Sequence, residues 1–161
     1  MSYARFGAMV ATSTAVMFGL MYLNTYDIDH VWFSQTRFWM ALAMGAVMAV
    51  IMLAFMLRMY ANKRFNLAIL AVAVVTFVVS LWLVRGQQTV DDVSYMKAMI
   101  PHHSIAIMTS RRAHIHDPRV RELADGIIAA QVREIDEMER LIGEIERAPV
   151  SADAPVLPPT K

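Results

Sequence analysis

Imidazole and thioether groups are concentrated in one short segment of this chain, YMKAMIPHHSIAIM, whose pattern predicts a helix. His102 and His103 are adjacent; Met99 lies about one helical turn before them and Met96 about two turns before them. Imidazole nitrogen binds late divalent metals and thioether sulfur binds Cu(I), so these residues favour a metal site. Because the chain has no cysteine, disulfides, zinc–thiolate sites and thiol nucleophiles are excluded.

A second helical segment, residues 118–147, carries polar residues on its apolar stripe. Apolar side chains recur there at alternating spacings of three and four, which is typical of antiparallel helix packing. Gln131 and Glu134 occupy two positions of that stripe, where an unpaired buried carboxylate would be costly. In a hairpin that turns near residue 117, position 103 lies opposite about position 131. We therefore expect His103 to meet Gln131 and Glu134 at one level of the hairpin.

Local signals predict where the two helices of this hairpin end. Asp117 is predicted to cap the second helix, and Pro118 to occupy its first position. His114 and His116 fall at the end of the first helix, where positive charge complements the helix dipole. Pro101 is predicted to kink the first helix, because it lacks an N–H donor and its ring clashes with the preceding turn.

Three long uncharged segments precede the hairpin and predict transmembrane helices at about residues 6–23, 38–57 and 65–84. Each is long enough, at about 1.5 Å per residue, to cross a hydrocarbon core of about 30 Å. No small-residue cleavage motif follows the first, so we expect an anchor and not a cleaved signal peptide. The predicted organisation is a membrane domain (residues 1–85), a helical hairpin domain (residues 86–147) and a disordered tail (residues 148–161).

Charged loops predict how the membrane domain is oriented. The loop RMYANKR carries three positive charges, whereas the loop that begins TYDIDH carries two aspartates. Because positively charged loops remain in the cytoplasm, the N-terminus is predicted inside and the hairpin outside. His30, next to those aspartates, is interpreted as a solvated loop residue in preference to a second, weak metal site.

Small residues and methionines follow the helical repeat of the second segment. Ala41, Gly45 and Ala49 recur at every fourth position, which lets helix backbones approach closely. A ladder of methionines has the same spacing: Met40, Met44, Met48, Met52 and Met56. A row of thioethers could relay Cu(I), but no carboxylate or imidazole joins it, so flexible packing is the favoured interpretation.

The hairpin resembles one bacterial family. MIPHH with a following AI, the turn DPRVRELAD and the segment AQVREIDEM together are similar to the family known as domain of unknown function 305, over residues 92–145. The resemblance implies a ferritin-like helical fold and, for some members, copper binding and copper resistance in the periplasm. Many members have an acid and a methionine where this chain has Met108 and Thr109. The resemblance implies these signature positions: Met99, His102, His103, Gln131, Glu134 and Met138.

Copper binding is the first function that these observations favour. Histidine and methionine without cysteine, on an oxidising side of a membrane, favour copper over zinc. The site is expected within one hairpin or shared across a bundle. The predicted protein is anchored in the bacterial inner membrane, faces the periplasm and acts in metal handling or resistance. The expected ligand set is His102 or His103, Met96 or Met99, and Glu134 as a ligand or as the group that orients one.

A structural role is the alternative. His103, Gln131 and Glu134 would then form a buried hydrogen-bond network in an accessory subunit of a larger membrane complex. In both cases one hairpin cannot cover its own faces, so we expect a homo-oligomer that completes a four-helix bundle, with membrane lipid as a further partner. An enzyme is not predicted, because Glu-x-x-His pairs and phosphate-binding loops are lacking. A net charge of +1 without a basic stripe excludes nucleic-acid binding.

Overall fold

A computed structural model describes residues 2–151 and 154–157, and within them it shows five α-helices and no β-strand. The all-α class predicted from the sequence is therefore confirmed. A single 3-10 turn, Leu57–Met59, connects the second and third helices. The helices are α1 (Tyr3–Leu20), α2 (Gln35–Phe55), α3 (Lys63–Gly86), α4 (Asp92–Arg112) and α5 (Pro118–Arg147).

The first three helices begin two or three residues before the predicted apolar segments, because a capping side chain precedes each. Ser2, Ser34 and Asn62 each accept a hydrogen bond from a backbone N–H of the first helical turn. The polar residues at the start of each helix are therefore helical, although they lie outside the uncharged segments from which the helices were predicted.

α2 packs against both α1 and α3. α1 runs along the length of α2: near its beginning the ring of Tyr3 lies 4.9 Å from that of Tyr60, and near its end Phe18 lies 6.2 Å from Phe38. The two helices lie close together at Gly45, where a Cβ atom would lie 2.3 Å from Oγ1 of Thr14. Gly45 of the small-residue series on α2 thus packs against α1, whereas Ala49 lies in a core that includes residues of both α1 and α3.

Two of the described helices, α2 and α3, are long and apolar enough to cross a membrane. α1 has 18 residues and is long enough, but it is not apolar enough to count as a candidate span. Arg5 and the hydroxyl side chains at positions 12–14 lower its hydropathy. The prediction of three spanning helices is therefore corrected to two candidates.

α4 and α5 form the antiparallel hairpin, and an apolar core lies between them. α4 continues through Pro101, whose ring is buried. α4 ends at Arg112, so His114 and His116 lie beyond it in the turn, where both are exposed. The core residues are Met96, Ile100 and Ile107 of α4 and Ile135, Met138 and Ile142 of α5.

The predicted disordered tail begins where α5 ends, at Arg147. Residues 148–151 and 154–157 lie outside any helix. The remaining tail positions, 152, 153 and 158–161, lie outside the described residues.

The connection between α1 and α2, residues 21–34, packs against α4. The backbone N–H of Tyr26 donates to Oγ of Ser104 at 2.7 Å, and Nδ1 of His30 lies 2.9 Å from the same oxygen. Trp32 packs against the hairpin core, and Nζ of Lys97 lies 5.5 Å from its ring centroid. His30 is thus half-buried and hydrogen-bonded, which corrects its interpretation as a solvated loop residue.

Replacing Asp91 by alanine is expected to lower the free energy of unfolding by about 1 kcal/mol at pH 7, the usual value of an N-cap side chain. Oδ1 of Asp91 accepts the Ser94 N–H at 2.7 Å, and hydrogen bonds from the Ser94 backbone and then its side chain lower the pKa of Asp91. A carboxyl whose pKa is lower in the folded than in the unfolded protein stabilises the fold at pH values above its unfolded pKa of about 3.9. This contribution is lost as the pH falls through the pKa of the folded state.

The difference in thermal unfolding between the alanine variant and the wild type should therefore be larger at pH 7 than well below about pH 4, where Asp91 is protonated and only a neutral cap remains. Asp91→Asn is the control, because an amide still caps but does not titrate in this range. A difference between alanine variant and wild type that stays constant with pH would contradict the role of the ionised cap.

Candidate metal centre

His103 is the best-positioned of the predicted ligands. Its side chain is 12% exposed, and Nε2 lies 2.8 Å from Oε2 of Glu134 on the facing helix α5. Nδ1 lies 3.0 Å from the backbone oxygen of Met99, one turn earlier on α4. The ring is therefore held at both nitrogens, one by its own helix and the other by the partner helix.

The two partners of this ring determine where its hydrogens lie. The Met99 carbonyl only accepts, so Nδ1 donates to it. A hydrogen must then also lie between Nε2 of His103 and Oε2 of Glu134, because two lone pairs would repel at 2.8 Å. The pair thus shares one proton, which any ligand of Nε2 must displace.

Thioether and carboxylate groups surround this pair in a cleft between α4 and α5. Met96 and Met138 are largely buried at 6% and 9% exposure, and Met99 also lines the cleft. Two further carboxylates, Asp92 and Glu137, lie on its wall. Soft sulfur donors are thus combined with negative charge, which favours a soft cation over an anion.

Glu134 is more accessible than its place in the predicted stripe suggested. Its side chain is 43% exposed, because the buried line of α5 runs through Ile135 and Ile142. The spacing of three and four that predicts the apolar stripe also runs through Val120 and Ile127, and these are 49% and 37% exposed. The predicted stripe is therefore buried only in part, since Ala124 and Met138 of the stripe lie in the core. Glu134 lies at the edge of the core, where water screens the ion pair.

Two of the predicted site residues lie elsewhere. His102 is exposed and lines a different pocket, although its ring centroid is 6.0 Å from that of His103. Gln131 lines a shallow depression of α5 with Arg119 and Leu123. The structure therefore brings these predicted residues to one cleft: Met96, Met99, His103, Glu134 and Met138.

Histidine and carboxylate groups alone do not form a metal cage in the part of the chain that the structure describes. Among residues 2–151 and 154–157, no three His, Asp or Glu side chains converge at metal-binding spacing. The donor set at His103 is instead one imidazole, one carboxylate and neighbouring thioethers. This composition fits copper, above all Cu(I), better than metals that prefer oxygen or several imidazoles.

Sequence comparison identifies the hairpin. Residues 87–156 match the model of the family described as Domain of unknown function (DUF305). This segment is a DUF305 domain. It contains both α4 and α5 and confirms the resemblance drawn from the MIPHH and AQVREIDEM motifs, whereas α1, α2 and α3 precede it.

A second comparison finds similarity outside cellular organisms. The Uncharacterized protein L153 of Acanthamoeba polyphaga mimivirus is 36% identical over 77 residues, which is 47% of this chain. The match covers 51% of that protein, so this chain spans about half the length of the curated relative. No solved structure matches the chain.

Ser104 is a buried residue of the DUF305 domain that the sequence did not single out. It is completely buried and bonds the α1–α2 connection through its hydroxyl. A hydroxyl on the buried face of a helix is the signal that could have revealed it, because such a group needs a partner.

Proposed function

We propose that the DUF305 hairpin binds a copper ion in the cleft at His103, and that the protein acts in metal handling or resistance at a membrane. The observation that carries this proposal is a nearly buried imidazole, fixed at both nitrogens, inside a thioether-lined cleft. The residues that would hold the ion are His103, Met96, Met99, Met138 and Glu134. Copper held there would supply a soft cation that can change oxidation state.

The chain's own groups prepare this binding. The Met99 carbonyl fixes the orientation of the imidazole through Nδ1–H, which leaves Nε2 as the donor atom. Nε2 must give up the proton that it shares with Glu134 before it can bind a metal. Glu134, being 43% exposed, can pass that proton to solvent or turn toward the ion itself.

Membrane anchoring is the second part of the proposal. α2 and α3 supply two spanning helices, and α1 lies in the membrane beside them because it follows α2 along its length. The positive loop with Arg58, Lys63 and Arg64 supports an orientation in which the hairpin lies on the opposite side, the periplasmic side of a bacterial inner membrane. A second copy of the hairpin would cover the exposed apolar residues Val120 and Leu123 and complete a four-helix bundle.

The decisive experiment compares two adjacent histidines. Purified full-length protein in detergent is titrated with Cu(I) against a chromophoric chelator. His103→Ala should weaken binding by at least about tenfold, because it removes the central ligand. His102→Ala is the matched control and should bind within about twofold of wild type, since its ring lies outside the cleft.

Circular dichroism of each variant controls for folding. Equal copper affinity in His103→Ala and wild type would remove His103 from the site. Equal losses in both histidine variants would mean that the cleft does not define the site.

A structural role is the second candidate, favoured by the fact that protein groups already satisfy both nitrogens of His103. The pair with Glu134 would then fix the register of the hairpin in an accessory subunit of a membrane complex. Gln131 does not line this cleft, so the pair would act without it. Copper distinguishes the two functions: a specific ligand must raise the thermal unfolding midpoint, and an unchanged midpoint would favour the structural role.

A further inference from the structure

A second pocket lies beside His102, where α4 meets the ends of α1, α2 and α3. Its polar wall includes Asn24, Thr36, Arg37, Gln87 and His102, together with Ser34 and Tyr95. Within the described residues, its lining contains no aspartate or glutamate. This composition is the electrostatic reverse of the acidic cleft at His103, and it favours an anion.

Arg37 is the only lysine or arginine among the described residues that line this pocket. Nη1 donates to the backbone oxygen of Met21 at 2.6 Å, and the guanidinium lies 4.4 Å from the ring centroid of Tyr22. These contacts fix the plane of the group while using one of its five N–H donors. A planar, oriented guanidinium of this kind is suited to phosphate oxygens.

The position of Arg37 indicates which phosphate compound would reach it. Arg37 lies in the first turn of α2, one of the two candidate spanning helices, so the proposed membrane places it at the polar boundary. The apolar wall of the same pocket is formed by Met21, Met40, Met99 and Ile105. Charge at the boundary above an apolar wall matches an amphiphile better than a free ion.

We propose that this pocket binds the headgroup phosphate of an anionic phospholipid, with Arg37 as the principal donor and His102 as a second contact. The inference rests on the proposed membrane location but not on copper binding. It assigns the two adjacent histidines to different ligands, His103 to a cation and His102 to a lipid.

Native mass spectrometry of delipidated full-length protein with added phosphatidylglycerol tests this proposal. Arg37→Gln should weaken lipid binding by about tenfold, because hydrogen bonds to a charged group are lost. Arg85→Gln is the matched control: it removes the same charge from the last turn of α3, outside the pocket, and should stay within about twofold. If Arg37→Gln does not fold, His102→Leu provides a second test, because position 102 is exposed and tolerates substitution. This variant should also weaken lipid binding.

Three outcomes would overturn the proposal. Equal losses in the two arginine variants would indicate diffuse surface charge, and equal binding of phosphatidylcholine and phosphatidylglycerol would show that no anion is selected. Displacement of the lipid by millimolar inorganic phosphate would indicate a soluble anion as the ligand. His103→Ala should keep lipid binding and His102→Ala should keep copper binding, so failure of one proposal leaves the other testable.

Discussion

Ser104→Val is expected to destabilise the protein by about 3 kcal/mol, because it removes the hydroxyl that hydrogen-bonds both Tyr26 and His30 of the α1–α2 connection. The Ser104 side chain is completely buried, and the Tyr26 N–H donates to it at 2.7 Å. A valine would leave that N–H without its acceptor and would add a methyl group to a filled site. The imidazole of His30 would lose its hydrogen bond to the same hydroxyl oxygen.

Thermal unfolding in detergent, followed by circular dichroism, measures this effect. Thr109→Val is the matched control: its exposed hydroxyl bonds only carbonyls of its own helix, Ile105 and Ala106. The control should change stability by less than about 1 kcal/mol. Similar losses at positions 104 and 109 would show that the contact with the connection carries no stability.

Gly45→Ala is expected to destabilise the protein by about 2 kcal/mol, although alanine is usually the better helix former. The added Cβ would lie 2.3 Å from Oγ1 of Thr14, well inside contact distance. Thr14 is β-branched, and its hydroxyl donates to the Val10 carbonyl at 2.9 Å, so the side chain has little freedom to move aside. The backbones of α1 and α2 would have to separate.

Gly19→Ala provides the opposite expectation within the same pair of helices. No atom lies within 4 Å of the Cβ position at Gly19, so alanine there should be neutral or stabilising by up to about 1 kcal/mol. The double variant Thr14→Ala with Gly45→Ala should recover most of the lost stability, because it removes the clashing hydroxyl. Gly45→Ala as stable as wild type would mean that α1 does not contact α2 at this residue.

Local signals in the sequence were sufficient to predict the helices and the central pair of the site. Uncharged length predicted α2 and α3, and Asp117 before Pro118 predicted the beginning of α5, where the Asp117 side chain accepts from the Arg119 N–H at 2.9 Å. The meeting of His103 with Glu134 followed from antiparallel geometry and a polar break in an apolar stripe.

Features that depend on the rotation of helices or on distant contacts could not be predicted. The rotation of α5 that buries Ile135 and Ile142 moves Gln131 to another surface, and no local pattern fixes that angle. Adjacent residues of a helix point in different directions, but which pocket His102 and His103 each line depends on the elements that cover each side of α4. The role of Ser104 required a partner far away in the sequence, at Tyr26.

The packing of the α1–α2 connection on α4 also determines the order in which the chain folds. Tyr26 and Ser104 are 78 positions apart, whereas the contacts inside each helical pair close much shorter loops. Closing a long loop costs entropy before its contact contributes, so distant contacts form late. The contact between the α1–α2 connection and α4 therefore forms after the contacts inside each helical pair, and it is the step that joins the hairpin to the first two helices.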